Sequence, residues 1–204
     1  MTFTEFHLIV GASARPVILV EGTRDLPDAD ANTLAAFSAW LAGSYPNAVF
    51  RTGNAEGSDS AFARGVARVD PSRLEYILPY GGHRKKAIAP DALCFPLNAI
   101  PRVEEERAVY HTAQASPEYE SLLAKRDVIP KLKAKARYLL RDTLKVVGSD
   151  SASLAAAAVG IFYVNPADPM KGGTGHTIRV CRKLGVPVAF QNEWMGWPPF
   201  VAAL

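Results

Sequence analysis

The run Val17-Ile18-Leu19-Val20-Glu21, which ends at Gly22, indicates the fold class of this 204-residue chain. Four consecutive apolar residues predict a strand that is buried on both faces, as at the centre of a parallel sheet. The next segment is predicted to be a helix, because Leu34, Phe37 and Leu41 recur at helical spacing. A buried strand followed by an amphipathic helix begins an α/β unit of the parallel type.

The same alternation continues along the chain. Strands are predicted at 48–52 and 74–78 around a short helix at 59–67, which gives β-α-β-α-β with right-handed crossovers. Later elements are predicted as helix 131–147, strand 159–164, helix 177–184 and strand 186–190, with Pro187 indicating an edge or strand-start position. We therefore predict one α/β domain over 1–204, a Rossmann-like open and mainly parallel sheet with helices on both faces. From about 80 to 130 the pattern weakens, which indicates a partly helical insertion or lid.

Composition excludes several classes of function. The chain is 49% hydrophobic and 21% charged, without an apolar run long enough to span a bilayer. The N-terminus lacks the basic start of a secretory signal, so we expect a cytoplasmic protein with no membrane partner. Cys94 and Cys181 have no metal-type spacing and are expected to be buried apolar residues; neither a metal nor a cofactor is predicted. A net charge of +3 is too small to imply nucleic-acid binding by itself.

Polar residues gather after the predicted strands, in two glycine-rich turns and one shorter segment. Because ligands of open parallel sheets bind at the carboxyl ends of the strands, these segments predict one site for a phosphate-bearing ligand. Glycines let the backbone approach such a ligand, hydroxyl groups donate to it, and Arg24 offers a planar cation. The predicted ligand-binding residues are Gly22, Thr23, Arg24, Gly53, Asn54, Gly57, Ser58, Asp59, Arg141, Gly172, Gly173, Thr174, Gly175, His176 and Thr177.

Known catalytic and phosphate-binding motifs do not identify a reaction. The chain has neither G-x-G-x-x-G after its first strand nor G-x-x-x-x-G-K-[ST] anywhere, which disfavours classical dinucleotide oxidoreductases and P-loop NTPases. The acids best placed for general acid or base work are Glu56, Asp59 and Asp142. His176 is interpreted either as a donor to a ligand oxygen or as a residue that caps or packs locally. His83, in the run His83 to Lys86, either covers the site or belongs to a solvated loop, and the solvated loop is preferred.

A row of cations on one predicted helix suggests a second kind of partner. Lys133, Arg137 and Arg141 recur every four residues, so they lie on one helix face. A solvated surface is the preferred interpretation of Lys133 and Arg137. Arg141 and Asp142 are surrounded by apolar residues in the sequence and are therefore expected to have defined partners.

Four motifs carry a family resemblance. They are Val-Glu-Gly-Thr-Arg-Asp-Leu-Pro at 20–27, Thr-Gly-Asn-Ala-Glu-Gly-Ser-Asp-Ser-Ala-Phe at 52–62, Tyr-Leu-Leu-Arg-Asp at 138–142, and Gly-Gly-Thr-Gly-His-Thr at 172–177. They resemble the G-S-R turn, S-G-G-A-x-G-x-D turn, R-N helix and G-G-T-x-H-T turn of the SLOG superfamily, the Rossmann-like group that includes DprA/Smf DNA-processing proteins and LOG cytokinin-activating enzymes. The resemblance covers most of the chain outside the middle segment and implies the fold and a nucleotide pocket.

Departures from the family pattern limit what the resemblance implies about activity. LOG enzymes use P-G-G-x-G-T-x-x-E, whereas Lys171 replaces the proline here and Arg179 stands in the place of the glutamate. This argues against LOG chemistry. The family's R-N pair is Arg141-Asp142, which exchanges a neutral amide for a carboxylate. That carboxylate would be unfavourable near phosphates unless it pairs with Arg141 or binds a ribose hydroxyl.

Three functions therefore remain open from the sequence. The leading hypothesis is a module that binds a nucleotide or nucleotide-derived small molecule, as a sensor. The second is a hydrolase of an N-glycosidic or phosphate bond in such a ligand. The third is a DprA-like protein that binds single-stranded nucleic acid, which is not favoured because no aromatic platform for bases is evident. The aromatic C-terminal segment 194–200 either packs on the sheet or seals a dimer, and a homo-oligomer is expected.

Overall fold

The computed structural model describes residues 1–203. Its strands are β1 (Val17–Gly22), β2 (Val49–Thr52), β3 (Leu74–Leu78), β4 (Leu93–Pro96), β5 (Val159–Tyr163) and β6 (Val188–Phe190). Its helices are α1 (Phe3–Gly11), α2 (Asp28–Ser44), α3 (Ser58–Ala67), α4 (Arg102–Ala115), α5 (Glu120–Ala124), α6 (Pro130–Val147), α7 (Gly172–Lys183), α8 (Gln191–Trp194) and α9 (Pro198–Val201).

The six strands form one sheet in the order β4-β3-β2-β1-β5-β6, and every neighbouring pair is parallel. The predicted run at 17–21 is its centre, where Ile18 pairs with Phe50 of β2 on one side and with Val159 of β5 on the other. The chain builds outward from β1 to β4 and then returns to the opposite side of β1. The strand order thus reverses between β1 and β5, and the predicted fold class is confirmed.

Helices cover both faces of the sheet. Ile18 and Val20 of β1 pack into a core shared with α1, α2 and α3, whereas Leu19 between them packs into a core shared with α6 and α7. This alternation follows from the period of two along a strand. All three side chains are fully buried, which explains why β1 is a continuous apolar run rather than an alternating one.

The aromatic C-terminal segment packs on the chain's own core. Trp194, Trp197 and Phe200 are buried, and the ring centroid of Trp194 lies 4.2 Å from that of Phe37 in α2. The Trp194 indole N–H donates to the Phe162 carbonyl at 3.0 Å, which joins α8 to β5. Of the two interpretations of this segment, packing against the rest of the same chain is therefore observed. A homo-oligomer stays a prediction.

The middle segment differs in detail from the predicted pattern. It contains β4, which adds an edge strand beside β3, and the long helix α4, which packs against α6 and α7. The strand was missed because Leu93 and Cys94 are exposed, so burial imposes no alternation on the edge. The expectation that both cysteines are buried is accordingly wrong for Cys94 and correct for Cys181, and both are free thiols.

Two predicted boundaries near the C-terminus also move. α7 begins at Gly172 rather than at Thr177, so the second glycine-rich turn forms the first turn of the helix. The last strand begins at Val188, after Pro187, and lies at the sheet edge as the proline predicted.

Two features are absent from residues 1–203. No helix in this range has both the length and the apolar character to cross a membrane. The same residues contain no cluster of three or more His, Cys, Asp or Glu side chains arranged to hold a metal ion.

Candidate functional site

A cavity of about 400 Å³ opens at the carboxyl end of the sheet, where the strand order reverses. This is the position at which open α/β sheets bind ligands, and the volume lies within the range of small-molecule sites. Eight predicted ligand-binding residues line it: Gly22, Thr23, Arg24, Asp59, Arg141, Gly172, Gly173 and Thr174. Its other lining residues are Glu21, Asp25, Ala55, Asp142, Val164, Asn165, Asp168, Pro169 and Lys171.

The second glycine-rich turn presents free backbone donors to the cavity. The first intrahelical bond of α7 runs from the Gly175 N–H to the Lys171 carbonyl at 3.1 Å, so the N–H groups of residues 172–174 lack an intrahelical partner. Gly172 and Gly173 are exposed, and the Thr174 hydroxyl donates to the Gly22 carbonyl at 2.8 Å. Three amides at the positive end of a twelve-residue helix are thus fixed beside the end of β1.

The first glycine-rich turn is arranged differently, because the carboxylate of Asp59 occupies it. Asp59 Oδ2 accepts from the N–H groups of Gly53 and Ala55, each at 3.1 Å, and Oδ1 accepts from the Gly22 N–H at 3.3 Å. Asp59 is only 3% exposed. One side chain in the first turn of α3 therefore takes three backbone donors that an anionic ligand would otherwise use.

The remaining predicted residues of the first turn lie behind the cavity wall. The Asn54 side-chain N–H donates to the His83 carbonyl at 3.1 Å, and the Ser58 hydroxyl donates to the Thr23 carbonyl at 2.9 Å. Gly57 has φ +72° and leaves no room for a Cβ against the carbonyls of residues 23 and 24. Gly53 is covered by Arg141, whose guanidinium donates to the Gly53 carbonyl at 2.5 Å. These residues shape the turn and do not line the cavity.

Three predicted residues of α7 are buried as well. His176 is fully buried, with Nδ1 2.9 Å from the Ser116 hydroxyl and Nε2 3.1 Å from the Thr143 hydroxyl. Burial lowers the pKa of His176 to about 4, so the ring is neutral at neutral pH. Gly175 lies against the Met170 backbone, and the Thr177 hydroxyl donates to the Gly173 carbonyl at 3.1 Å. His176 therefore anchors α7 and makes no direct contact with the cavity, unlike the ligand-donor interpretation of its sequence position.

The wall formed by α6 combines both signs of charge. Asp142 Oδ1 lies 3.0 Å from Arg141 Nε and 2.9 Å from Lys145 Nζ. Burial alone would raise the pKa of Asp142, but the two cations hold it below its usual range. Burial likewise opposes the charge on Lys145, whose pKa is nevertheless raised by Asp142 and Glu21. Arg141 and Asp142 thus have the defined partners that their apolar surroundings in the sequence predicted.

Glu21, the last charged residue of β1, was not among the predicted site residues. Its Oε2 accepts from Lys145, whereas its Oε1 has no hydrogen-bond partner, although Glu21 is 3% exposed and lines the cavity. Burial, together with the nearby carboxylates of Asp59 and Asp142, raises its pKa to about 7 against the opposing effect of Lys145. The sequence signal that could have identified Glu21 is a carboxylate at the end of a strand whose other residues are predicted to be buried on both faces.

Glu56 lies apart from the other two catalytic candidates. Its side chain is 75% exposed and makes a surface ion pair with Arg84 at 3.5 Å, outside the cavity lining. The cationic row on α6 is also divided, because Lys133 is exposed and Arg141 is turned inward to Gly53. These three cations accordingly do not form one continuous solvent-facing surface.

A buried ion pair supports the sheet behind the site and was also missed from the sequence. Arg51 of β2 is fully buried and donates through Nε and Nη2 to Glu75 of β3, at 2.8 and 2.7 Å. Its Nη1 donates to the carbonyls of Lys145 and Ala155. The guanidinium therefore joins two strands to the end of α6, where Lys145 is placed beside Glu21.

Comparison with known proteins adds no family to this description. The chain matches no protein-family model, and it matches none of the curated proteins with which it was compared.

Proposed function

We propose that this protein binds a nucleotide or nucleotide-derived phosphate ligand in the cavity between β1, α6 and α7. The observation that carries the proposal is the set of unpaired N–H groups at 172–174, which face a cavity also lined by Arg24, Arg141 and Lys171. Backbone donors at a helix N-terminus, combined with cations, are the usual means of holding a phosphate. The phosphate is assigned to this side of the cavity.

Carboxylates in the same cavity support a ligand that also carries hydroxyl groups. Glu21 Oε1 is a buried acceptor without a partner, and the Asp142 carboxylate, which is paired with Arg141 and Lys145, lies beside Gly173. A carboxylate accepts hydrogen bonds from hydroxyls, and its pairing with cations limits its repulsion of a phosphate. A ligand that carries both a phosphate and a ribose matches this mixture of donors and acceptors.

The resemblance to SLOG proteins supports the same assignment. All four motifs, at 20–27, 52–62, 138–142 and 172–177, contribute residues to the cavity lining. We assign the protein to that group by proposal and regard it as a cytoplasmic sensor module. The occupation of the first turn by Asp59 means that the phosphate contact comes from the second turn alone.

A second candidate function is hydrolysis of the bound ligand, and the state of Glu21 favours it. With a pKa of about 7, Glu21 can hold or release a proton at neutral pH, and its free oxygen belongs to a cavity-lining residue. Protonated Glu21 would donate its proton to the leaving group as the glycosidic or phosphate bond breaks. Water would supply the hydroxyl to the other fragment, and the proton lost by water would restore the acid. For this role Glu21 is preferred over Glu56, which lies outside the cavity lining.

Proton NMR distinguishes these functions. The purified protein is mixed with AMP, ribose 5-phosphate, NAD and ADP-ribose in separate samples and followed over hours. Broadening of ligand resonances without new signals is expected for a binding module, whereas free base or ribose signals identify a hydrolase and the bond that it breaks. Unchanged ligand spectra with all four compounds would contradict the proposal.

A further inference from the structure

Three aromatic rings meet beside the cavity, on the side of Arg141. The ring of His83 lies between those of Tyr80 and Tyr138, with centroid distances of 5.2 and 5.9 Å and interplanar angles of 81° and 79°. His83 Nδ1 is 3.2 Å from the Tyr80 hydroxyl. Tyr80 is 41% exposed, so this group, here called the aromatic rim, presents a ring to solvent.

The aromatic rim is held against the cavity from two directions. Tyr138 and Arg141 are three residues apart on α6 and share a helix face, and the Arg141 guanidinium carbon lies 5.7 Å from the Tyr138 ring centroid. On the other side, the Asn54 side chain donates to the carbonyls of His83 and Arg84, while Arg84 Nη1 donates to the Asn54 carbonyl at 2.9 Å. Asn54 and Arg84 both have positive φ, 57° and 44°, so this reciprocal contact holds two unusual backbone positions together.

The aromatic rim lies beside a cation of the cavity. The Arg141 guanidinium contacts the Tyr138 ring, and Arg141 and Arg24 both line the cavity. Burial lowers the pKa of His83, and the charges of Arg141, Arg84 and Arg24 lower it further. The aromatic rim therefore borders the cavity through Arg141.

From this juxtaposition we propose that the aromatic rim is the base subsite, where the nucleobase of a nucleotide ligand stacks while its phosphate lies on the N-terminus of α7. The inference rests on the proposed function and narrows its ligand class from any phosphorylated sugar to a nucleotide with an aromatic base. Stacking on tyrosine tolerates different bases because every base has a π face. The aromatic rim therefore selects for a base without selecting which one.

The test compares two ligands that differ only by the base, AMP and ribose 5-phosphate, by isothermal titration calorimetry. Wild-type protein is expected to bind AMP roughly tenfold or more tightly than ribose 5-phosphate, given the usual strength of base–aromatic stacking. Tyr80→Ala and Tyr138→Leu should each reduce that preference and leave the affinity for ribose 5-phosphate unchanged. Tyr80→Phe and Tyr138→Phe keep the rings and should restore the preference for AMP.

The chain offers a matched control in a second tyrosine–histidine pair. Tyr110 and His111 on α4 have ring centroids 5.4 Å apart at 71°, and Tyr110 is 61% exposed, but neither ring has a stacking or cation–π contact with a residue that lines the cavity. Tyr110→Ala should leave both affinities unchanged. Equal binding of AMP and ribose 5-phosphate by the wild type, or an AMP preference that survives Tyr80→Ala and Tyr138→Leu, overturns the base subsite while the proposed function stands. Failure of both ligands to bind overturns the two proposals together.

Discussion

The two glycine-rich turns look equivalent in the sequence but differ in what faces their backbone amides. In the turn at 53–59, the Asp59 carboxylate accepts from Gly22, Gly53 and Ala55, so the chain supplies its own anion. In the turn at 172–175, the first three amides of α7 have no intrahelical partner and line an open cavity. The first turn joins β1 to β2, whereas the second is available to a ligand.

This difference shows why glycine spacing alone does not identify a phosphate-binding turn. A carboxylate in the first turn of a helix is favoured by the same helix dipole that attracts phosphate. Asp59 lies at the second position of α3, close enough to fold back on the turn. α7 has no acidic residue in its first turn, and although Asp142 of α6 lies beside Gly173, it accepts no hydrogen bond from the amides at 172–174.

The largest effect is expected from removing the internal anion of the first turn. Asp59→Ala leaves three buried N–H groups without their acceptor and should lower the free energy of unfolding by about 4 kcal/mol. Urea denaturation followed by circular dichroism measures the change. Glu56→Ala in the same turn removes an exposed carboxylate and should change stability by less than about 0.5 kcal/mol. Equal effects of the two substitutions would contradict the structural role assigned to Asp59.

The sequence predicted the sheet well because burial on both faces leaves a direct mark. The run 17–20 is apolar at every position since neighbouring strands and helices surround it, and this fixed β1 as the central strand. Its neighbours β2 and β5 are also buried throughout and were likewise predicted as strands. The edge strand β4 was missed because half-exposed residues carry no such constraint.

The site was less predictable because it depends on side chains that meet from distant parts of the chain. Glu21 and Lys145 are 124 residues apart, and nothing in either local sequence indicates the other. The role of His176 was equally hidden, because the hydroxyls of Ser116 and Thr143 that bind its ring come from the end of α4 and from α6, respectively. Glycine spacing identified both turns in the sequence. Only the tertiary contacts show which of the two already holds a carboxylate.

The second prediction concerns a negative charge introduced into the turn at 172–175. Gly173→Asp should reduce AMP affinity at least about 100-fold, a loss of about 3 kcal/mol, because its carboxylate would repel the phosphate. Any Cβ at this position lies 2.8 Å from Asp142 Oδ2, so Gly173→Ala carries the same steric cost without the charge. Gly173→Ala should reduce AMP affinity about tenfold or less. Calorimetric titration of both variants separates the effect of the added charge from the steric effect, and circular dichroism verifies that they fold. Equal losses of AMP affinity in the two variants would refute the assigned phosphate position.

The third prediction concerns the acid beside the open turn. Because the folded-state pKa of Glu21 is raised from 4.5 to about 7, folding binds a proton between these values. Its stabilising contribution is present below about pH 4.5 and is lost as pH rises through about 7. The difference in unfolding free energy, wild type minus Glu21→Gln, should therefore fall by about 2 kcal/mol between pH 5 and pH 8.

The difference is measured by urea denaturation at several pH values, so that groups common to both proteins cancel. Lys145, Asp142 and Asp59 do not cancel in this way, because they face Glu21 from α6 and α3, so the difference reports Glu21 together with these neighbours. A flat difference, or one that rises with pH, would show that Glu21 stays ionised and would remove the proton source proposed for hydrolysis.

The smallest effect tests which cation faces the ligand. Lys171 lies at the N-cap of α7 and lines the cavity, whereas Lys133 is equally exposed on α6 and lies outside it. Lys171→Ala should weaken AMP binding about fivefold, the size expected for one exposed charge, and Lys133→Ala should leave it unchanged. The opposite result, loss of binding only with Lys133→Ala, would move the anion site to the outer surface of α6 and favour single-stranded nucleic acid as the partner. The open amides at 172–174 would then be an ordinary solvated helix end, and the contrast between the two turns would concern stability alone.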